Sequence, residues 1–143
     1  MINEQLLNIF KETLKKEGMK YTLQRKAVFE ELMASQDHRE CEDIYLSIKN
    51  QSKHVSRATV YRTMDILVQN NLARRLDLGK SSSLYERKIN SPHHDHLICT
   101  SCGKIMEFID EEIERLQENI AQKYNFNITR HIHQLFGICK QCQ

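Results

Sequence analysis

Four of the five cysteines stand in two Cys-x-x-Cys pairs, Cys99 with Cys102 and Cys139 with Cys142. Four soft thiolates in tetrahedral array form the closed shell of a structural zinc ion. A fold that unites the pairs must bring the end of the chain back to a turn in its second half, so the pattern predicts a small sheet with its terminus pinned by metal. A closed shell of four sulfurs leaves no coordination position for chemistry. Neither pair has the βαβ surroundings of a thioredoxin-like redox dithiol. Cys41 is left over and is expected to be a buried free thiol.

A second constellation precedes the first pair: His93-His94-Asp95-His96. On an extended segment alternate side chains face opposite sides, so His94 and His96 share one side while His93 and Asp95 share the other. One tetrapeptide can therefore serve two metal sites. Candidate ligands to complete them are His38, Glu86, Glu107, Glu114 and His131.

The rest of the chain predicts two domains. Apolar positions Ile2, Leu6, Ile9, Phe10 and Leu14 recur at helical spacing from Ile2 to Glu17, and Gly18 ends the run. Thr22 is placed to cap a second helix with Ala27, Val28, Leu32 and Met33 inward, and a shorter helix follows over 41–49 with Ile44, Tyr45 and Ile48 inward. Ser56 caps a fourth helix with Val60, Met64, Leu67 and Val68 as its apolar face. The runs LARRLDL and SLYERK, joined by Gly79-Lys80-Ser81-Ser82, form a hairpin. Helices followed by a hairpin give a winged helix-turn-helix. Pro92, the only proline, marks a seam. Beyond it HLIC and IMEF are two strands, Asp110 caps an amphipathic helix carrying Ile113, Leu116, Ile120 and Tyr124, and a last strand runs from Phe126 to about Phe136. The expected fold class is α+β: a winged helix-turn-helix domain over 1–90, with wing and hinge, and a small α/β domain over 91–143.

Composition supports a folded, water-soluble chain, with 40% apolar and 28% charged residues. No apolar run approaches the roughly 20 residues of a membrane span, and MINEQLLNIFKETLKK alternates too regularly for a signal peptide. A cytoplasmic protein is expected, where thiols bind metal rather than form a disulfide framework. Residues 1–92 carry 16 Lys and Arg against 12 Asp and Glu, and residues 93–143 carry 5 against 7. An anionic partner therefore suits the N-terminal end. The outward side of the helix after Ser56 offers Arg57, Ala58, Tyr61, Arg62 and Asp65, groups that can bond guanine edges and pack on thymine methyls in a major groove. Arg74, Arg75 and Lys80 on the wing could meet phosphates.

Together these residues resemble the ferric uptake regulator (Fur) family. The likeness is carried by Lys20-Tyr21-Thr22-Leu23-Gln24-Arg25, Ala58-Thr59-Val60-Tyr61-Arg62-Thr63, the run from His93 to Lys104, Glu107-Phe108, and Gly137-Ile138-Cys139-Lys140-Gln141-Cys142. The resemblance implies a homodimer, or a tetramer built from it, that represses transcription by closing on palindromic double-stranded operator DNA when a divalent metal joins its domains. It implies a regulatory site of His38, Glu86, His94, His96 and Glu107, an auxiliary site of His93, Asp95, Glu114 and His131, and structural zinc on Cys99, Cys102, Cys139 and Cys142. His54 and His133 match no ligand position of the family. For DNA it implies Tyr61 and Arg62 in the major groove, Lys20 near the minor groove and Arg25 on the backbone, to which the outward face of the helix after Ser56 adds Arg57. Arg39-Glu40-Cys41 replace the small or apolar residues usual after His38.

The signal depends on the regulatory donors. Zinc sensors of the family often place a cysteine where Glu86 stands, and peroxide sensors usually have aspartates where Glu86 and Glu107 stand. Imidazole with carboxylate and no thiolate suits Fe(II), for which Mn(II) or Zn(II) can substitute. Peroxide, manganese or zinc sensing is the alternative within the family. From other classes, a zinc deaminase would need His-x-Glu followed by Pro-Cys-x-x-Cys. Pro92 is not adjacent to Cys99, and the only His-x-Glu is His38-Arg39-Glu40. A metal-storage module without DNA binding would leave Tyr61, Arg62 and the basic wing without a purpose. No enzymatic activity is expected.

Overall fold

The computed structural model describes residues 3–79 and 81–143. Ile2 and Lys80, named above in the first helix and the wing, lie outside the described residues. The chain divides into two compact units, residues 1–91 and 92–143.

The N-terminal unit holds four helices and a hairpin: α1 Glu4–Lys16, α2 Leu23–Ala34, α3 Cys41–Asn50, α4 Arg57–Gln69, β1 Ala73–Asp77 and β2 Ser83–Arg87. Each helix starts where a side chain can take up an otherwise orphaned amide. Asn3 accepts from the Gln5 amide at 2.6 Å, Thr22 from Arg25 at 3.2 Å and Ser56 from Thr59 at 3.1 Å. Glu40 and Asp43 form a reciprocal capping box on α3. The exits are equally local. Gly18 adopts φ +66° after α1, and the Met19 amide reaches back to the Leu14 carbonyl at 2.8 Å.

Apolar positions at helical spacing turn inward to one core, in which Phe10, Leu14, Val28, Phe29, Leu32, Ile44, Ile48, Val60, Met64 and Leu67 are buried. Phe10 and Phe29 stack with centroids 4.4 Å apart. The hairpin pairs Ala73 with Arg87 through Asp77 with Ser83, and it is tied to the segment before α3 by two backbone bonds between Arg39 and Tyr85 of 2.9 and 2.8 Å. This is the winged-helix arrangement expected from the sequence.

The C-terminal unit contains β3 Asp95–Cys99, β4 Ile105–Phe108, α5 Glu111–Lys123 and β5 Gln134–Gly137. The sheet order is β4-β3-β5, with β3 antiparallel to β4 and parallel to β5. Asp110 caps α5, accepting from Glu112 at 2.9 Å and Ile113 at 3.1 Å. The last strand is much shorter than the expected run from Phe126. Its pairing begins at His96 with Gln134, one residue into β3, so the residues before it have almost no strand to bond with. Asn125 at φ +50° ends α5, and Phe126 and Ile132 remain exposed in an irregular segment.

Candidate metal centres

The cysteine cluster is assembled by strand ends. Cys99 closes β3, and a turn with Gly103 at φ +76° folds back so that the Gly103 amide bonds the Cys99 carbonyl at 2.9 Å. At the other end, the Thr100 amide donates to the Gly137 carbonyl at 2.8 Å, which lays Cys139 beside Cys99. The Cys139 amide points at the Cys99 sulfur at 3.3 Å, and the Cys102 and Cys139 sulfurs are 3.8 Å apart. A tetrahedral ion with bonds of about 2.3 Å to sulfur requires sulfur–sulfur edges of about 3.8 Å. The geometry therefore fits zinc. Backbone amides of Cys102 and Cys139 lower the Cys99 thiol to about 6. Although a Ser101 hydrogen bond pulls Cys142 down, crowding by the other thiols holds it up at about 12. One sulfur readily ionises and another resists, as expected of clustered thiols that need a cation to ionise together.

The second cluster is built around Asp95, which opens β3 and is 1% exposed. His93 lies two residues earlier on the same side, with Nε2 3.4 Å from Asp95 Oδ1. Glu114, in the first turns of α5, presents Oε1 at 3.4 Å from both His93 Nε2 and His131 Nε2. His131 Nε2 is 3.6 Å from Asp95 Oδ1. An ion with bonds of about 2.0–2.1 Å to nitrogen and oxygen has tetrahedral edges of about 3.3–3.4 Å. These four donors approach that figure, and Glu114 Oε1 and His131 Nε2 are buried without a hydrogen-bond partner among the described residues. The cluster is able to hold a divalent metal.

The remaining donors form two sets, one in each unit. In the N-terminal unit His38 Nε2 lies 3.2 Å from Glu86 Oε2, and the 2% exposed Glu86 also accepts from Arg74 at 3.3 Å. In the C-terminal unit His94 and His96 share a side, with ring centroids 4.9 Å apart. His96 stands opposite Glu107 in the β3–β4 register, and His94 Nε2 is 3.6 Å from Glu107 Oε1. His94 Nδ1 lies 3.0 Å from the Pro92 carbonyl. Donation there puts the proton on Nδ1 and leaves Nε2 as the ligand atom. Arg39, the residue after His38, is anchored at 2.7 Å to Glu31.

Sequence reasoning missed His133. Its Nδ1 is 3.5 Å from Asp95 Oδ2, the oxygen facing away from the other histidines. The available signal was alternation, since His131-x-His133 places both on one side of an extended segment.

On α4, Arg57, Ala58, Tyr61, Arg62 and Asp65 are exposed, while Val60, Thr63, Met64, Ile66 and Leu67 are buried. Tyr61 is 50% exposed. Arg57 is engaged within the unit: its Nε and an Nη atom bond the two Glu42 carboxylate oxygens at 2.9 and 2.7 Å, and its guanidinium lies 4.2 Å over the Tyr45 ring. The Glu42 pairing raises the Arg57 pKa and lowers that of Glu42. Arg25 donates to the Lys20 carbonyl, which ties the two residues together. On the wing, Arg74 is turned to Glu86 and Arg75 bonds Ser83 at 2.9 Å.

Residues 16–136 match the model of the ferric uptake regulator family. The chain is 42% identical to the ferric uptake regulation protein of Campylobacter upsaliensis, over 96% of this chain and 88% of that one. It is 29% identical to the peroxide-responsive repressor of Staphylococcus epidermidis, over 92% and 86%. Among solved structures, the ferric uptake regulator of Helicobacter pylori, described as having three functional metal-binding sites, superimposes with a TM-score of 0.86. The identity there is 37%, with 97% of this chain and 92% of that one covered.

Proposed function

We propose, from the premise that this chain belongs to the ferric uptake regulator family, that it is a homodimeric, DNA-binding transcriptional repressor that responds to Fe(II) and carries structural zinc on Cys99, Cys102, Cys139 and Cys142. The observation that carries this reading is the donor chemistry of the remaining sets: His38 with Glu86, and His94 and His96 with Glu107, offer imidazole and carboxylate without thiolate. These five residues act as one regulatory site. A ligand shifts a conformational equilibrium by its difference in affinity for the two states, and donors drawn from two units create such a difference. Fe(II) suits the donor set, with Mn(II) or Zn(II) able to substitute. His93, Asp95, Glu114 and His131 form an auxiliary site.

The DNA contacts follow from α4. Its buried face fixes it to the N-terminal core, and its exposed face presents Tyr61 and Arg62 for base edges in a major groove. Lys20, before the Thr22 cap, and Arg25, in the first turn of α2, serve the minor groove and DNA backbone, and Arg57 at the α4 N-terminus joins them once DNA phosphates compete with Glu42. A two-fold dimer requires a palindromic operator. Support for the dimer comes from the exposed apolar side chains of the C-terminal unit, among them Leu116, Ile120, Tyr124, Phe126, Phe136 and Ile138. Among the described residues no helix is long and apolar enough to cross a membrane.

The test is binding of operator-type DNA by zinc-loaded protein, titrated anaerobically with Fe(II), Mn(II) and Zn(II) at fixed salt. Fe(II) is expected to switch binding on, and His94→Ala or Glu107→Ala to abolish the response. Binding that needs no added metal, or that answers only to Mn(II) or Zn(II), rejects iron as the signal. The similarity to a peroxide-responsive repressor favours a second reading, in which a brief peroxide pulse permanently removes the Fe(II)-dependent binding. Glu86 and Glu107, in place of the aspartates usual in peroxide sensors, argue for the first.

A further inference from the structure

Asp95 presents its two carboxylate oxygens to different surroundings. Oδ1 faces His93 and His131 at 3.4 and 3.6 Å. Oδ2 lies on the side of His133 Nδ1, at 3.5 Å. Both Asp95 Oδ2 and His133 Nδ1 are buried, and neither has a hydrogen-bond partner elsewhere among the described residues. A buried polar atom without a partner is costly, so two that face each other define a single bond waiting to be drawn in. The ring is also held. The His133 carbonyl accepts from the His96 amide at 3.2 Å, and its imidazole lies edge-on to Phe108, the residue opposite Asp95 in the β3–β4 register. His133 therefore sits outside the four donors and against the back of the carboxylate.

We propose that His133 is a positioning residue for the Asp95 metal site: its Nδ1–H holds Asp95 Oδ2, so that Asp95 offers the ion a single oxygen. Two consequences follow from coordination chemistry. A ligating carboxylate fixed by an outer hydrogen bond loses less freedom when the ion binds, and removing such partners costs about 10–100-fold in metal affinity. Engaging Oδ2 also prevents two-oxygen chelation, which favours four-coordinate ions over those that seek six ligands. The proposal rests on the reading that the Asp95 cluster binds a divalent metal.

The experiment uses full-length protein with zinc retained on its cysteines and the other imidazole–carboxylate donors silenced by His94→Ala. Chelator competition measures Zn(II) affinity in this parent and with His131→Ala, His133→Leu or His133→Asn added. Co(II) spectra report coordination number. His133→Leu is expected to weaken Zn(II) about 10–100-fold and to shift Co(II) toward higher coordination, while His133→Asn, whose amide reaches the Nδ1 position, stays within a few-fold of the parent. Should the leucine variant fail to fold, His133→Gln, whose amide reaches the Nε2 position instead, takes its place with the same expected loss. If His131→Ala binds as the parent does, the cluster is not a metal site and the proposal falls with it. If His131→Ala loses the ion but His133→Leu keeps parental affinity and spectrum, the metal reading stands and the role of His133 is overturned. Equal losses in the leucine and asparagine variants overturn it as well.

Discussion

Burial gives single residues in the N-terminal unit a measurable pH signature. Cys41, 2% exposed at the start of α3, has its thiol pushed by burial from near 9 up to about 11, against a Tyr85 hydrogen bond that lowers it. Burial likewise raises the Tyr85 phenol to about 12. Both groups bind protons more tightly folded than unfolded. Below pH 9 both states keep the Cys41 proton and nothing changes. Between pH 9 and 11 the unfolded chain loses it first, so stability falls as pH rises. After allowance for partial solvent screening, the loss is on the order of 1 kcal/mol for Cys41. Urea unfolding from pH 8 to 11 should show this decline, and Cys41→Ala should flatten it; an equal slope in both proteins would refute the assignment. Cys41 as a buried thiol was legible in the sequence, because it stood outside both metal-binding pairs. His133 was not, since its role depends on which Asp95 oxygen faces which neighbour. Nor was the engagement of Arg57, because Glu42 is 15 residues away and meets it only after α3 packs on α4.

Among the elements, legibility followed the reach of the determining interaction. Thr22, Ser56 and Asp110 were identifiable as caps because each acts within three residues. The start of β5 was not, because alternation from Phe126 onward describes a strand but cannot show that its neighbour begins only at Asp95. The helix exits suggest a direct stability test. Ser52 follows α3 at φ +59°, a left-handed conformation costly for a residue with a Cβ. Ser52→Gly should stabilise the N-terminal unit by about 0.5–1 kcal/mol, and an unchanged or lowered urea midpoint would count against the stated geometry. For α4, exposed Tyr61 and Arg62 flank a helix whose other side is core. Replacing both with alanine should cost roughly 1–3 kcal/mol of operator affinity per lost base contact and leave unfolding nearly unchanged. Metal titration of the double variant should match wild type. Retained operator specificity would move the recognition surface elsewhere.

At the scale of the molecule, the two units differ in how much holds them together. The N-terminal unit has a continuous core from Phe10 to Tyr85. In the C-terminal unit the buried apolar residues are Ile98, Cys99 and Ala121, while Ile120 is 60% exposed and Tyr124 72%. A segment of this size with so few buried apolar residues is marginal by itself, and small domains of this kind often draw on bound metal or a second copy. The cysteine cluster joins the β3 turn to the chain end, so metal there closes the β3–β5 side of the sheet. Structural zinc can contribute about 10–16 kcal/mol of folding free energy, as much as a whole domain's usual net stability of about 5–15 kcal/mol. Removing the ion, by Cys102→Ser or exhaustive chelation, should unfold the C-terminal unit and, with it, the dimer. The N-terminal unit should keep its helices. Sedimentation would then report monomer, with only the α5 share of the circular dichroism lost. Ile120→Glu provides the complementary arm: it should weaken the dimer while leaving zinc on the four cysteines. A zinc-free protein that stays dimeric would show that apolar contact alone holds the unit. An Ile120→Glu dimer of undiminished strength would place the contact on another part of its surface.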